Sequence, residues 1–156
     1  MRGEAMRITE DDLSGAAILA LLERHFAGME ASSPPGTCFY LDVDGLRAPD
    51  VTFWSIWDGA ELAGCGALRE LDARHGEVKS MRTADVHLGR GVGSQLLDHL
   101  LAVARQRGYE RISLETGSGP AFAAAERLYV RFGFVECGPF ADYVPNGASR
   151  FFTLAL

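Results

Sequence analysis

Gly89, Gly91 and Gly93 stand on alternate positions between a strand-like segment, 77–83, and a long amphipathic run that begins at Val92. With no Cβ atoms in the way, the backbone N–H groups of such a turn can crowd around one point. Where the turn opens a helix, those groups have no internal partner and lie at the positive end of the helix dipole, which suits a phosphate. Strand and glycines together read as a pyrophosphate cradle. Two common cradles fail on spacing. A P-loop ends in Gly-Lys-Ser/Thr so that a lysine reaches the outer phosphates, and none occurs here. A dinucleotide fingerprint places its third glycine one residue later than Gly93 and an acidic ribose ligand at a strand end about 20 residues on. Glu110 is near that distance but precedes its strand.

The segment Leu88-Gly-Arg-Gly-Val-Gly93 resembles the Gln/Arg-x-x-Gly-x-Gly/Ala signature of the GCN5-related N-acetyltransferases, the GNAT family, with Leu88 in place of the usual Gln or Arg. Downstream, Leu128-Tyr-Val-Arg-Phe-Gly-Phe134 resembles the family's Leu-Tyr-x-x-x-Gly-Phe. The distance between the two motifs leaves room for the helix, strand and second helix of that fold. Further stretches are similar to a bacterial, YsnE-like subgroup: Ser33-Pro-Pro-Gly36, Thr52-Phe-Trp54, Gly64-Cys-Gly-Ala-Leu68, Lys79-Ser-Met-Arg-Thr83, Leu114-Glu-Thr-Gly117 and Cys137-Gly-Pro-Phe140. The likeness spans nearly the whole chain.

The resemblance implies an acetyl-CoA-dependent N-acetyltransferase that transfers directly, within a ternary complex, to a primary amine of a small molecule. It implies a sheet that splays between the strands at 77–83 and 111–116, with pantetheine in the gap bonded to the backbone near Met81 and Thr83. Arg82, Leu88, Gly89, Arg90, Gly91, Val92, Gly93 and Ser94 complete the expected cofactor site. The Met81 N–H would polarise the acetyl carbonyl, and preorganised donors of this kind are often the largest catalytic contribution. Tyr129 matches the family's tyrosine facing the departing thiolate and is assigned as general acid; a phenol titrating near ~10 is protonated at neutral pH. Its plain alternative is a core aromatic sharing a stripe with Phe122, Ala125 and Phe132. Glu77, 11 residues before Leu88, holds the offset of the glutamate base in the histone-acetylating branch; its alternative is an exposed strand-end carboxylate. Glu115 is the rival base, and His75 and His87 read as surface histidines. Where the family often has Asn, Phe122 stands, so that contact is either absent or supplied by Thr116 or Ser118.

For the acceptor, Lys79 and Arg82 hint at a carboxylate-bearing amine such as an amino acid, with surface pairing to Glu70, Asp72 or Asp85 as the alternative. His25, Ser33, Trp54, Trp57, Glu115 and Tyr143 are candidate pocket residues. Two other classes stay open: a CoA-binding module that senses without turnover, and an enzyme acting on a protein amine. Tyr129 and Glu77 speak against the module, whereas Phe122 and Leu88 leave it standing.

The elements that must position these residues follow from length and pattern. A chain of 156 residues reads as one domain, 1–156, able to bury a core. Hydrophobic content of 47% with 23% charged residues is ordinary for a globular protein. No apolar run approaches the ~20 residues of a membrane span, and Glu4, Glu10, Asp11 and Asp12 spoil a signal-peptide reading. A net charge of −6 argues against nucleic acid, which wants a basic patch. It leaves Arg82 and Arg90 to draw in a polyanionic cofactor. Cys38, Cys65 and Cys137 lack metal-ligand spacing and read as free thiols in a reducing cytoplasm, and no metal is expected. Dimers are common in such a family, but no stretch of this chain marks an interface.

The pattern predicts a strand at 6–8, helix caps within 9–12 and a helix to about residue 30. An irregular stretch, 37–50, precedes a hairpin of strands 51–57 and 61–71 turning at Asp58-Gly59. Glycines 64 and 66 within the second strand imply close approach of a backbone or helix. The strand at 77–83, the helix 92–107 stopped by Gly108, and the strand 111–116 follow. A helix runs from Pro120 to Gly133, before strands at 134–137 and 150–154. This order is mixed α/β around one central, mostly antiparallel sheet with flanking helices.

Overall fold

Alternation of apolar and polar residues along the strands decides which side of the sheet each helix covers. The computed structural model describes residues 6–35 and 41–156. Among the described residues, seven strands form one sheet: β1 (Arg7–Glu10), β2 (Val51–Asp58), β3 (Glu61–Asp72), β4 (His75–Thr83), β5 (Arg111–Gly117), β6 (Val135–Cys137) and β7 (Ser149–Ala155). Their spatial order is β1-β2-β3-β4-β5-β7-β6. Every pairing is antiparallel except β4 with β5. The α-helices among the described residues are α1 (Ala16–Ala31), α2 (Val43–Leu46), α3 (Val92–Gln106) and α4 (Ala123–Arg131).

One face of the sheet presents Trp54, Leu68, Val78, Ile112 and Leu114 to α3, whose Leu97, Leu100, Leu101 and Ala104 complete that core together with Tyr129 of α4. The opposite face presents Phe53, Cys65 and Ala67 to Ile18, Leu21 and Leu22 of α1. Since Ala67 pairs with Lys79, Arg69 with Glu77, and Glu77 with Ser113, the polar residues of β4 and β5 share the α1 face. The apolar stripe of α3 is therefore separated from the polar chemistry by the thickness of the sheet.

Several expectations shift in detail. The acidic run at 9–12 does not cap α1; the N-cap is Gly15 with no side-chain bond. Asp11 and Asp12 instead accept the Leu13 and Ser14 amides, and Ser55 Oγ donates to Asp11 at 2.6 Å. Leu13 precedes the helix in a left-handed conformation (φ 67) and is buried. The stretch expected to be irregular contains α2, capped by Asp42, which accepts the Gly45 amide at 2.9 Å. Proline at 120 opens a single 3-10 turn, Pro120–Phe122, before α4 begins. Cys65 is a buried free thiol and Cys137 a half-buried one; Gly36 and Cys38 lie outside the described residues. Among the described residues, no helix is long and apolar enough to cross a membrane.

Glycine at 64 is required by packing. A Cβ there would lie 2.7 Å from the Arg82 carbonyl oxygen and 2.9 Å from Val92 Cγ1, so β3, β4 and the start of α3 meet only because it is absent. We expect Gly64→Ala to cost about 1–3 kcal/mol, the usual range for overpacking, and to lower Tm by several degrees. Gly138→Ala, with no atom near its Cβ position, should leave Tm almost unchanged. Thermal unfolding of both variants checks the contrast.

Candidate active site

The parallel pairing of β4 with β5 stops early. His75, Gly76 and Glu77 pair with Arg111, Ile112 and Ser113, and no pair follows. Beyond Glu77 the strands part, because each is committed elsewhere: β5 stays paired to β7 through Gly117, and β4 follows β3. A bulge marks the divergence. Between the pairs Cys65–Arg82 and Ala67–Lys79, Ser80 and Met81 stand opposite Gly66 alone, and Ser80 is left-handed (φ 55). The Ser80 carbonyl accepts a bond from Cys65 Sγ at 3.3 Å.

The gap is a slit of about 100 Å³ through the sheet, walled by Val78, Lys79, Met81, Glu115, Thr116 and Tyr129. On one side it opens into a groove of about 580 Å³ that runs past Met81, Arg82, Thr83 and Leu88 towards Gly93, with α4 opposite. A cavity of about 700 Å³, bordered by Glu77 and the loop at Tyr143, adjoins the slit at Lys79, which lines both.

At the far end of the groove, Gly89 and Gly91 are left-handed (φ 77 and 80), and nothing lies within 4 Å of where their Cβ atoms would be. Gly91 caps α3 without a side chain. The first intrahelical bond runs from the Gln95 amide to the Gly91 carbonyl at 3.0 Å, so the amides of Val92, Gly93 and Ser94 have no helical acceptor. A Cβ on Gly93 would meet Leu128 Cδ2 at 3.1 Å, which brings α3 and α4 together at the groove. Open backbone donors at one end and a strand-shaped gap at the other fit the diphosphate and pantetheine of coenzyme A. Arg82 lines the groove, 3.7 Å from Asp85. Arg90 does not line it: its guanidinium is held by Asp58 at 3.0 Å and by His87 Nδ1 at 2.6 Å. His87, expected at the surface, is buried, with Nε2 3.1 Å from Glu61. Leu88 is exposed along the groove wall, and Ser94 Oγ accepts a bond from Arg131 at 3.0 Å.

Tyr129 is buried where slit and groove meet. Loss of water, reinforced by the nearby Glu115 carboxylate, pushes its phenol up to about 12. Burial likewise raises Glu115 above the usual carboxylate range. Glu77, expected either as a base or as an exposed carboxylate, is only 1% exposed. Its Oε2 accepts the Tyr143 hydroxyl at 2.6 Å and lies 3.6 Å from Lys79 Nζ, while its Oε1 has no hydrogen-bond partner. Lys79 in turn donates to the Tyr143 oxygen at 2.9 Å. Tyr143 comes from the loop before β7, so it closes a network with two neighbours on β4 that lie 64 and 66 positions away. Burial and the adjacent Glu77 raise the Tyr143 phenol well above its ordinary range.

His25 of α1 lines both slit and groove. It is buried, its Nδ1 lacks a partner, and loss of water lowers it to about 4, so it is neutral near pH 7. His75 borders the cavity and shares a 2.7 Å bond with Ser113. Trp54, expected at the acceptor pocket, is on the other face. Strand alternation turns it into the α3 core, edge-on to His99 and beneath Arg107, and it lines none of the three spaces. Trp57 stacks under Arg7, and it and Ser33 also lie outside them. Of the two residues left to replace the family's Asn, Ser118 is bonded to the Ala148 carbonyl at 3.0 Å, whereas Thr116 lines the slit. Phe122 lies across Gly117, where any Cβ would come within 2.4 Å of its ring, and walls both slit and groove. Met29 and the Ser80 bulge were not anticipated: Met29 reads as one more apolar helix position, and a lone polar residue in a strand carries no bulge signal.

This geometry has close relatives. The model for the acetyltransferase (GNAT) family matches residues 16–134. An uncharacterised N-acetyltransferase of Bacillus subtilis (strain 168), YsnE, is 52% identical over 97% of this chain and 100% of its own. A second, YedL of Escherichia coli (strain K12), is 52% identical over 96% and 94%. Among solved structures, a candidate acyl-CoA N-acyltransferase from Klebsiella pneumoniae superposes with TM-score 0.79 at 30% identity, covering 97% of each chain. A GNAT-family acetyltransferase from Elizabethkingia anophelis with acetyl-CoA bound shares the fold at TM-score 0.70 and 18% identity, over 97% of this chain and 98% of that one. With a splayed sheet, an uncapped glycine turn and relatives at this identity, the chain belongs to the GNAT family, in a YsnE-like subgroup, and is an acetyl-CoA-dependent acyltransferase.

Proposed function

We propose that the protein transfers an acetyl group from acetyl-CoA to the primary amine of a small molecule. The observation that carries this reading is the parting of β4 from β5 after Glu77, with Tyr129 where slit and groove meet and Glu77 on the adjoining cavity. Thioester and amine would meet at the slit, so positioning alone supplies much of the rate. The open amides at 92–94 would hold the diphosphate, with Gly89, Gly91 and the Leu88 wall shaping its approach. The backbone at Met81 and Thr83 would bind pantetheine, and the Met81 N–H would polarise the carbonyl. The bulge at Ser80 supports that last role, because it breaks the ladder where a donor is needed.

An alkylammonium with pKa about 10 is no nucleophile at pH 7. Glu77 would accept one proton from it, with Oε1 free of other bonds. The neutral nitrogen then attacks the carbonyl carbon, a C–N bond forms, and the C–S electrons leave with sulfur. The second nitrogen proton ends on the thiolate. Tyr129, held near 12, would be a weaker acid than a thiol near ~8.5. Its first contribution is therefore a hydrogen bond to the sulfur as charge develops. Lys79 and Tyr143 would hold the Glu77 carboxyl group in place.

Two measurements test these roles. Tyr129→Phe should lower kcat by ~10²–10⁴. Because burial raises this phenol, the protonated form persists upward in pH, and wild-type kcat should show no alkaline loss between about pH 8 and 10. A fall near 8.5 would assign the acid elsewhere. Glu77→Gln should cost a similar factor at neutral pH, with the gap to wild type narrowing as the pH approaches that of the free amine. A constant gap would remove Glu77 as base.

A further inference from the structure

We propose that the acceptor is an aliphatic diamine, with its reacting nitrogen at Glu77 and its second ammonium held by Asp72 and Asp142 at the outer end of the cavity. The inference rests on the N-acetyltransferase reading of the same site.

The cavity is bordered by five carboxylates, Asp50, Glu70, Asp72, Glu77 and Asp142, among its described lining. The only cations there are Arg69 and Lys79, and both are committed: Arg69 to Asp50 at 3.2 Å and Lys79 to Glu77 at 3.6 Å. Glu70 accepts the Tyr109 hydroxyl at 2.7 Å. Among the described residues, Asp72 and Asp142 pair with no cation; Asp72 accepts only the Arg74 amide, at 2.8 Å. An acceptor bearing its own carboxylate would meet this ring with no uncommitted cation to receive it.

A second observation points inward. Glu77, 1% exposed, borders the cavity with an oxygen that no protein donor satisfies. A buried acceptor without a partner is costly, and an ammonium would satisfy it. The spacing suits two such contacts. Asp72 pairs across the hairpin with His75, two residues before Glu77 on β4. At roughly 3.3 Å per residue, it is about 7 Å along the strand from Glu77, a span that a short alkyl chain bridges. Leu41, Leu71 and Val144 border the same cavity and offer apolar surface to that chain.

The test compares kcat/KM for diaminobutane and diaminopentane with butylamine, pentylamine and the matching ω-amino acids, using acetyl-CoA and thiol release. A charge pair at contact in water is worth about fivefold, so the diamines should lead the monoamines by about five- to tenfold, and the amino acids should trail. The lead should collapse towards unity in Asp72→Asn/Asp142→Asn and shrink with added salt in the wild type. Equal rates for diamines and monoamines, a salt-independent lead, or a preference for amino acids would overturn the second-charge inference and leave the N-acetyltransferase reading standing. Acetyl-CoA binding without turnover on any amine, aromatic amines included, would overturn both.

Discussion

Everything about this site depends on β4 and β5 ceasing to pair after Glu77. Backbone donors and acceptors that leave a ladder must find other partners or water. In a sheet interior such a break would be destabilising unless something extended lies in it, and an extended amide-bearing chain is what pantetheine offers. The break persists because its flanks are over-determined. β3 with β4 and β5 with β7 form long antiparallel ladders, and a closing movement would have to unzip one of them. The left-handed Ser80 belongs to the same constraint, since the extra residue increases the local twist and carries β4 away from β5.

The parting also sorts the chemistry by face. On the α3 side, apolar residues seal Tyr129 into a region where its proton is firmly held. On the α1 side, Glu77 of β4 borders the cavity together with Glu70 and Asp72 of β3. A net charge of −6 gives no general attraction for a polyanionic co-substrate, so that attraction has to be local. It comes from the uncapped start of α3 more than from arginines: Arg90 is bonded to Asp58 and His87, and Arg82 lies beside Asp85. An uncapped N-terminus is an anion site that costs nothing in side-chain ordering.

The glycine turn, the strand entering it and the Leu-Tyr motif were legible from sequence because each is local: a few consecutive residues carry both the conformation and its reason. The central sheet and its helices followed from periodicity, with boundaries displaced by up to three residues, as at the start of α4. What was illegible is non-local. Trp54 could be placed on a strand but not on a face, because the face depends on the register of β2 against β3. His87 looked like a surface loop residue because its partners, Glu61 and Arg90, come together only when the β2–β3 hairpin folds against the turn. The acidic run at 9–12 had every mark of a helix cap, yet Asp11 is drawn to Ser55, 44 positions away. Tyr143 was named without its reason, which is the bond to Glu77 across 66 positions.

That bond joins stability to function. A carboxylate and an ammonium as buried as Glu77 and Lys79 lose most of their hydration, and their attraction offsets this only if the remaining polar atoms are satisfied. Tyr143 satisfies one side, donating to Glu77 and accepting from Lys79. The other carboxylate oxygen remains without a partner, a deficit of about 1–3 kcal/mol by the usual cost of an unmade buried bond. Lys79 and Tyr143 fix the side chain through its other oxygen. A carboxyl group fixed in place and one bond short is well matched to a cationic amine. Binding would then relieve a strain that folding left in place, and the relief falls at the point where the first proton must leave.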